Sequence, residues 1–393
     1  MTKYNFDEII DRSNTDALKI DAIKLRWHRD DLLPMWVADM DFRTPPFIMD
    51  ALAERCKHPI LGYTLRPDAW YEAICKWLKQ RHNWDVKREN VGFVPGVVNG
   101  IGNVLKCFTK PGDKVMIQPP VYHPFRMLIK ANNCELVNSQ LEEKDERLYI
   151  NFEKFERDIK GCSAFILSNP HNPGGRVWSR DELQRMADIC SKNNVLVISD
   201  EIHCDLTYPE YTHIPFASVS EEAAQNCITF MAPSKTFNCA GLGSSQYIIT
   251  NGDIYKCFTD YLQQNELNEG HIFAYYPVIK GFSDAVAEWI AQALEYIKNN
   301  VAFTHKYLRE NMPLIDMMEP EASYLIFMDF RKMGLSQKEL VSFIEDEAHL
   351  LLNDGTMFGP GGEGYMRINI GTPKAILERG LNQLKEAYIK RSK

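Results

Sequence analysis

The chain has 393 residues, 45% of them hydrophobic, with 45 Lys and Arg against 53 Asp and Glu for a formal net charge of -8. That length buries a large core and divides into more than one domain, and an acidic balance without a concentrated basic patch argues against a nucleic-acid or anionic-membrane partner. The 10 cysteines stand singly between Cys56 and Cys257 with no Cys-x-x-Cys pair, so neither a disulfide framework nor a zinc site or other metal centre is expected.

Met1 to Glu8 lacks the apolar core of a signal peptide, and no later run is long enough to span a bilayer, which points to a cytoplasmic protein. The first 44 residues read as an arm with one weak helix and a short strand, Met35-Trp36-Val37-Ala38, ending at Asp39. Pro45-Pro46 opens a helix through Ala51-Leu52-Ala53, Gly62-Tyr63-Thr64 is a turn, and Pro67-Asp68 starts a helix with Trp70, Ile74, Trp77 and Leu78 on one packed face. Val91 to Val94 reads as a strand, followed by a turn from Pro95 to Gly102 that runs into a helix. Its glycine spacing fits neither a dinucleotide fingerprint nor a Walker loop, but free amides at a helix start bind a phosphate without any charged side chain.

Further strands are expected at Val115–Gln118, before the Pro-rich Pro119 to Pro124, and at Ala164–Leu167, before the turn-rich Ser168 to Gly175. Ser179-Arg180-Asp181-Glu182 is a capping box. Val195 to Ser199 is a continuous apolar run of the kind buried on both faces of a parallel sheet, and it ends in Asp200-Glu201, where strand ends face a ligand crevice. The run Cys227 to Met231 delivers Lys235 to the sheet's rim on the turn Ala232-Pro233-Ser234-Lys235. Desolvation there lowers an amine's pKa, the condition for attack on an aldehyde. Ser-Lys-Thr fits a solvated surface loop equally well; what separates the readings is that three strand ends offer, in order, an amide, an acid and an amine. Gln246 to Thr250 supplies another strand, so alternating strands and helices over about 45 to 285 imply a mostly parallel sheet covered on both sides. From Ser283 an amphipathic helix (Val286, Trp289, Ile290, Ala293, Leu294, Ile297) leads to strands at Tyr324–Asp329 and Tyr365–Ile370, a helix capped by Ser336 and Glu339, and a last helix opened by Thr372-Pro373.

These motifs resemble the fold type I family of pyridoxal phosphate (PLP) enzymes, the aminotransferase class I and II group. Ile198 to His203, Ser234 to Asn238 and Val37 to Phe42 look most like its carbon-sulfur lyase branch, which includes cystathionine β-lyases. The resemblance implies an α/β, aspartate aminotransferase-like fold: a large PLP-binding domain over 45–285 with a mostly parallel sheet, and a smaller α+β domain from 1–44 together with 286–393.

It also implies roles. PLP's ring nitrogen needs a buried carboxylate to stay protonated, and Asp200 suits this; Glu201 points the other way along the strand and reads as structural. Asn172 donates to the cofactor's phenolic oxygen, although the family's Asn-Pro-Thr-Gly is here Asn172-Pro173-Gly174-Gly175, and His203 stands where many relatives carry a Tyr on the same oxygen. Tyr122 stacks on the ring. The amides of Val97 and Val98, the Ser234 hydroxyl and Tyr63 from a second subunit hold the phosphate, a less cationic grip than in relatives with an arginine near Gly243. Arg367, mid-strand, requires an anion: a substrate carboxylate, or an internal Asp or Glu. Asp39 joins it as a substrate contact. The expected reaction is β-elimination by a homodimer from cystathionine, cysteine or a related S-substituted amino acid, giving a thiol, pyruvate and ammonia, with Lys235 as base and Lys235, Tyr63 or Tyr122 protonating the leaving sulfur. Two alternatives share the site: amino transfer, and a PLP-holding regulator that acts through a protein partner.

Overall fold

The computed structural model describes residues 2–391; Met1, Ser392 and Lys393, the outer ends of the expected small domain, lie outside the described residues. The first strand, β1, is Leu33–Pro34. It is followed by β2 (Val91–Val94), β3 (Lys114–Ile117), β4 (Glu135–Asn138), a hairpin of β5 (Glu142–Lys144) and β6 (Arg147–Tyr149), then β7 (Cys162–Ser168), β8 (Leu196–Asp200), β9 (Cys227–Met231) and β10 (Ser245–Ile248). The last part of the chain adds β11 (Asp316–Met317), β12 (Leu325–Asp329), β13 (Leu350–Leu351), β14 (Asn353–Asp354) and β15 (Tyr365–Asn369).

Seven strands make one sheet in the order β2-β10-β9-β8-β7-β3-β4. From β9 across to β4 every neighbouring pair is parallel, and β10 is reversed between β2 and β9. The central strands can sit here because their runs are apolar at nearly every position, as burial on both faces demands: Phe165, Ile166, Val197, Ile198, Ile228 and Phe230 are all buried. Helix Val97–Phe108 lies on one face with Val97, Ile101, Val104 and Leu105 turned inward. It lies close, since a Cβ on Gly100 would stand 2.3 Å from the Phe230 ring. Helix Arg180–Lys192 begins in the expected capping box, Ser179 accepting from the Glu182 amide while the Glu182 carboxylate accepts from Ser179 N.

A second sheet, β11-β12-β15-β14, is antiparallel throughout. The long helix Ala287–Asn311 buries Trp289, Ile290, Ala293, Leu294 and Ile297. Asn300, on the same helix, donates to the carbonyls of Ile370 and Thr372 just past β15.

Two local expectations need correction. The strand expected at Met35–Ala38 is instead the two-residue β1, paired in parallel with β13. The reason is that the carbonyls of Trp36, Val37 and Ala38 are taken by side chains from Arg367, Asn369, Tyr324 and Lys235, which leaves no ladder to extend. Lys235 is also not on an open turn but within the four-residue helical turn Pro233–Thr236.

Candidate active site

The carboxyl ends of β2, β3, β7, β8 and β9, with the amino end of the reversed β10, meet around a cavity of about 210 Å³. Its wall takes Pro95 to Val98 after β2, Tyr122 after β3, Ser168 and Asn172 at and after β7, Asp200, Ile202 and His203 at and after β8, Ser234 and Lys235 after β9, Ser244 and Ser245 at the start of β10, and Ala38 from the N-terminal arm. Residues up to 207 positions apart in sequence therefore share one small space because strand ends in an open sheet share one rim.

The Lys235 amine donates to Ala38 O at 2.5 Å. Burial, then the Arg367 charge, lowers it to about 8, with Asp39 and Asp200 opposing. Asp200 accepts from Ile202 N at 3.1 Å, and burial pushes its carboxyl up to about 7. The Lys235 charge only partly offsets that burial, and a carboxyl so raised is a fitting partner for a protonated ring nitrogen. His203 is buried and its Nδ1 has no partner. Burial, then Lys235 and Arg367, drop its imidazole to about 3, so it stands neutral.

Arg367, on β15, is 4% exposed. It donates to Asn353 Oδ1 at 2.6 Å, Trp36 O at 3.2 Å and Asn172 Oδ1 at 3.2 Å, and its Nε has no partner. All three acceptors are neutral, so the internal Asp or Glu that the sequence left open is not what holds it. Burial lowers the guanidinium to about 10. Because Asn172 spends its amide oxygen on Arg367, its NH2 is the end left for a ligand.

The wall is also rich in neutral donors. Helix Val97–Phe108 starts after Gly96 with no side-chain cap, so its first amides, including Val97 and Val98, lack intrahelical partners. Ser234 stands beside them, and Ser244 Oγ is buried without a partner. Neutral amides and hydroxyls at a helix start suit a phosphate, and with the acid of β8 and the amine after β9 the set fits PLP.

Tyr122 takes its place in the wall, and burial raises its phenol. Three expected residues are not in the wall: Tyr63, Asp39 and Arg367, the last standing behind Asn172. Tyr63 is fully exposed. Asp39 is tied to Arg12 at 2.6 Å, with its Oδ1 buried and unpartnered, while its neighbour Ala38 reaches the cavity. Glu201 is engaged away from the cavity by Ser199, His213 Nε2 and Phe216 N. Sequence reasoning missed Ser244 and Ser245, whose only signal is their place before a strand that proves to be reversed. It also missed that folding gathers His82, Cys204 and Asp205, with candidate ligand atoms within 4.8 Å of one another. The Asp205 carboxylate there is occupied by Trp77 Nε1, His82 Nε2 and Thr236 Oγ1.

Comparison with known proteins agrees with this geometry. Residues 31–384 match the family model for aminotransferase class I and II. The chain is 41% identical to cystathionine beta-lyase PatB of Bacillus subtilis (strain 168), over 98% of this chain and 99% of that one. Its structure superposes on cystalysin of Treponema denticola, which contains a pyridoxal 5'-phosphate cofactor, with a TM-score of 0.96 at 35% identity and full coverage of both chains. The PLP-bound C-S lyase of Staphylococcus hominis superposes with a TM-score of 0.90 at 32% identity over 99% of each chain.

Proposed function

The chain belongs to the aminotransferase class I and II family, and from that premise we propose that it is a PLP-dependent carbon-sulfur β-lyase, which cleaves cystathionine or other S-substituted cysteines to a thiol, pyruvate and ammonia. The observation that carries the reading is the meeting in one cavity of a lowered amine and a raised carboxyl, with a buried guanidinium that has no acidic partner bonded to the wall residue Asn172 from outside.

When bound, PLP supplies an electron sink for the charge left at the substrate's Cα. Asp200 would hold the proton on the ring nitrogen, Tyr122, Asn172 and His203 would hold the ring and its phenolic oxygen, and the Val97 and Val98 amides with Ser234 would hold the phosphate. Arg367 clamps the substrate α-carboxylate in a two-pronged grip that trades neutral acceptors for an anion. Lys235 anchors the cofactor and, as a neutral amine, takes the Cα proton; burial has already brought its pKa near the working range. The leaving sulfur receives its proton from Lys235, Tyr122 or Tyr63. Asp39, fixed by Arg12 next to Ala38, contacts the substrate's far side.

The active unit in this reading is a cytoplasmic homodimer. Ile60, Leu61, Tyr63 and Leu65 are 67%, 63%, 112% and 87% exposed, an apolar loop that calls for a second copy and would carry Tyr63 to the partner's phosphate. The described residues include no helix long and apolar enough to cross a membrane, and the 10 cysteines are free, as a reducing compartment keeps them.

The test is product identification from cystathionine with the purified holoprotein. Pyruvate, thiol and ammonia in equal amounts are expected. Amino transfer that depends on a keto acid and yields no pyruvate overturns the lyase; bound PLP without turnover, together with a protein partner in a pull-down, overturns the enzyme; a protein that binds no added PLP overturns the site.

A further inference from the structure

The sequence reading treats the cysteines as single, scattered residues, and five of the ten, Cys162, Cys190, Cys204, Cys227 and Cys239, are buried. Cys107 and Cys257 differ. Separated by 150 positions, they meet at the surface with their Sγ atoms 3.8 Å apart. Cys107 is half-buried on the last turn of helix Val97–Phe108; Cys257 is exposed within helix Gly252–Gln264.

We propose that Cys107 and Cys257 are a modification site for small disulfides, which oxidise the pair to a reversible bond that clamps the two helices together. A bond needs the sulfurs about 2.05 Å apart, so each must move by roughly 1 Å, within the reach of χ1 rotation at a surface position. The order of attack follows from exposure. Burial, then the neighbouring Cys257 sulfur, push the Cys107 thiol up to about 12, so Cys257 reacts first. Its thiolate attacks one sulfur of the small disulfide RSSR, forming protein–S–S–R and releasing RSH. The Cys107 sulfur then attacks the Cys257 sulfur of that mixed disulfide, the protein S–S bond forms, and the second RSH leaves with the remaining proton. Two protein thiols are oxidised and one RSSR is reduced to two RSH.

Position gives the bond its consequence. Helix Val97–Phe108 has its free amides at one end and Cys107 at the other, so a cross-link to helix Gly252–Gln264 fixes the element that presents the anion cup. Neither cysteine lies in the cavity wall, and the proposal stands whether or not the lyase reading does.

The experiment uses the holoprotein incubated with oxidised glutathione as the probe disulfide. Expected are the loss of two titratable thiols, a peptide cross-linked between Cys107 and Cys257 that is 2 Da lighter than its parts, and a melting temperature raised by about 5 °C and restored by reductant. In Cys107→Ser the reaction stops at a glutathione adduct on Cys257, and in Cys257→Ser no adduct reaches Cys107. The proposal is overturned if wild-type protein retains glutathione on Cys257 without a cross-link, if the bond joins two chains, or if the cross-link forms without raising the melting temperature.

Discussion

Arg176 and Arg367 are buried to almost the same extent, at 3% and 4% exposure, yet the molecule treats them in opposite ways. Arg176 reaches Glu321 at 3.0 Å and Glu182 at 2.7 Å, lies 4.9 Å from the centre of the Trp178 ring and spends its Nε on Leu148 O. Arg367 also lies near a ring, 5.0 Å from the centre of Phe358, but its hydrogen-bond partners are only amide oxygens and a carbonyl. The first charge is neutralised within the fold, in a network where Glu321 also pairs with Arg147. The second charge is solvated by dipoles and keeps its capacity for an anion, which marks a position kept for a ligand rather than for stability. The same contrast separates Lys19, held by both oxygens of Asp41 at 2.8 Å, from Lys235, whose amine meets only a carbonyl.

The sharpest way to break this comparison is at Lys235. Lys235→Ala should lower kcat for thiol release by at least about 10³-fold, because it removes the general base and the cofactor's anchor, while the melting temperature of the cofactor-free protein holds or rises. Next come the two arginines. Arg176→Gln should cost about 1–3 kcal/mol in thermal or denaturant unfolding, since it takes from the buried Glu321 one of its two cations and leaves Arg147 as the other, and should leave KM near the wild-type value. Arg367→Gln should do the reverse, lowering kcat/KM for an α-amino acid by roughly 10–100-fold with little loss of stability. If both variants behaved alike in both assays, the distinction between neutralised and reserved charge would fail.

Smaller effects lie in pH dependence. Lys235 acts as a base only when neutral, and its amine is lowered to about 8, so kcat/KM should rise roughly fivefold from pH 7 to 8, gain about twofold more by pH 9 and level above that. Asp200 gives a stability signature in the cofactor-free protein. Its folded carboxyl is raised to about 7 by burial, so between the ordinary carboxylate range and 7 the native state binds more protons than the unfolded one. Stability should therefore fall as pH rises from 4 to 7, and Asp200→Asn should flatten that slope in thermal melts.

Much of this site is legible in the chain because its key groups sit immediately after apolar runs that can only be central strands: Asp200 closes β8, Lys235 follows β9, Asn172 follows β7. Apolar continuity reveals the strand, and the strand's end reveals the address. What stayed hidden depends on pairing across distance. The edge strand β4 is half-exposed with polar ends and carries no continuous run, so it reads as loop. Asn353 and Trp36 are ordinary residues until folding places their oxygens, with that of Asn172, around one guanidinium. Nor does anything local to Asp205 announce that it holds Thr236, the residue next to Lys235.

The reversed strand β10 also fixes a length. Because it lies between β2 and β9, the helix start that offers its amides and the turn that carries the amine rise from strands two places apart, roughly 9.5 Å at the ordinary lateral repeat of a sheet. The acid at the end of β8 stands one further place along. The backbone is thus a ruler graduated in strand widths, and whatever bridges its marks is selected by span before any side chain is consulted. Substitutions at the rim can alter how firmly such a molecule is gripped, but only an inserted or deleted strand would change how long it must be.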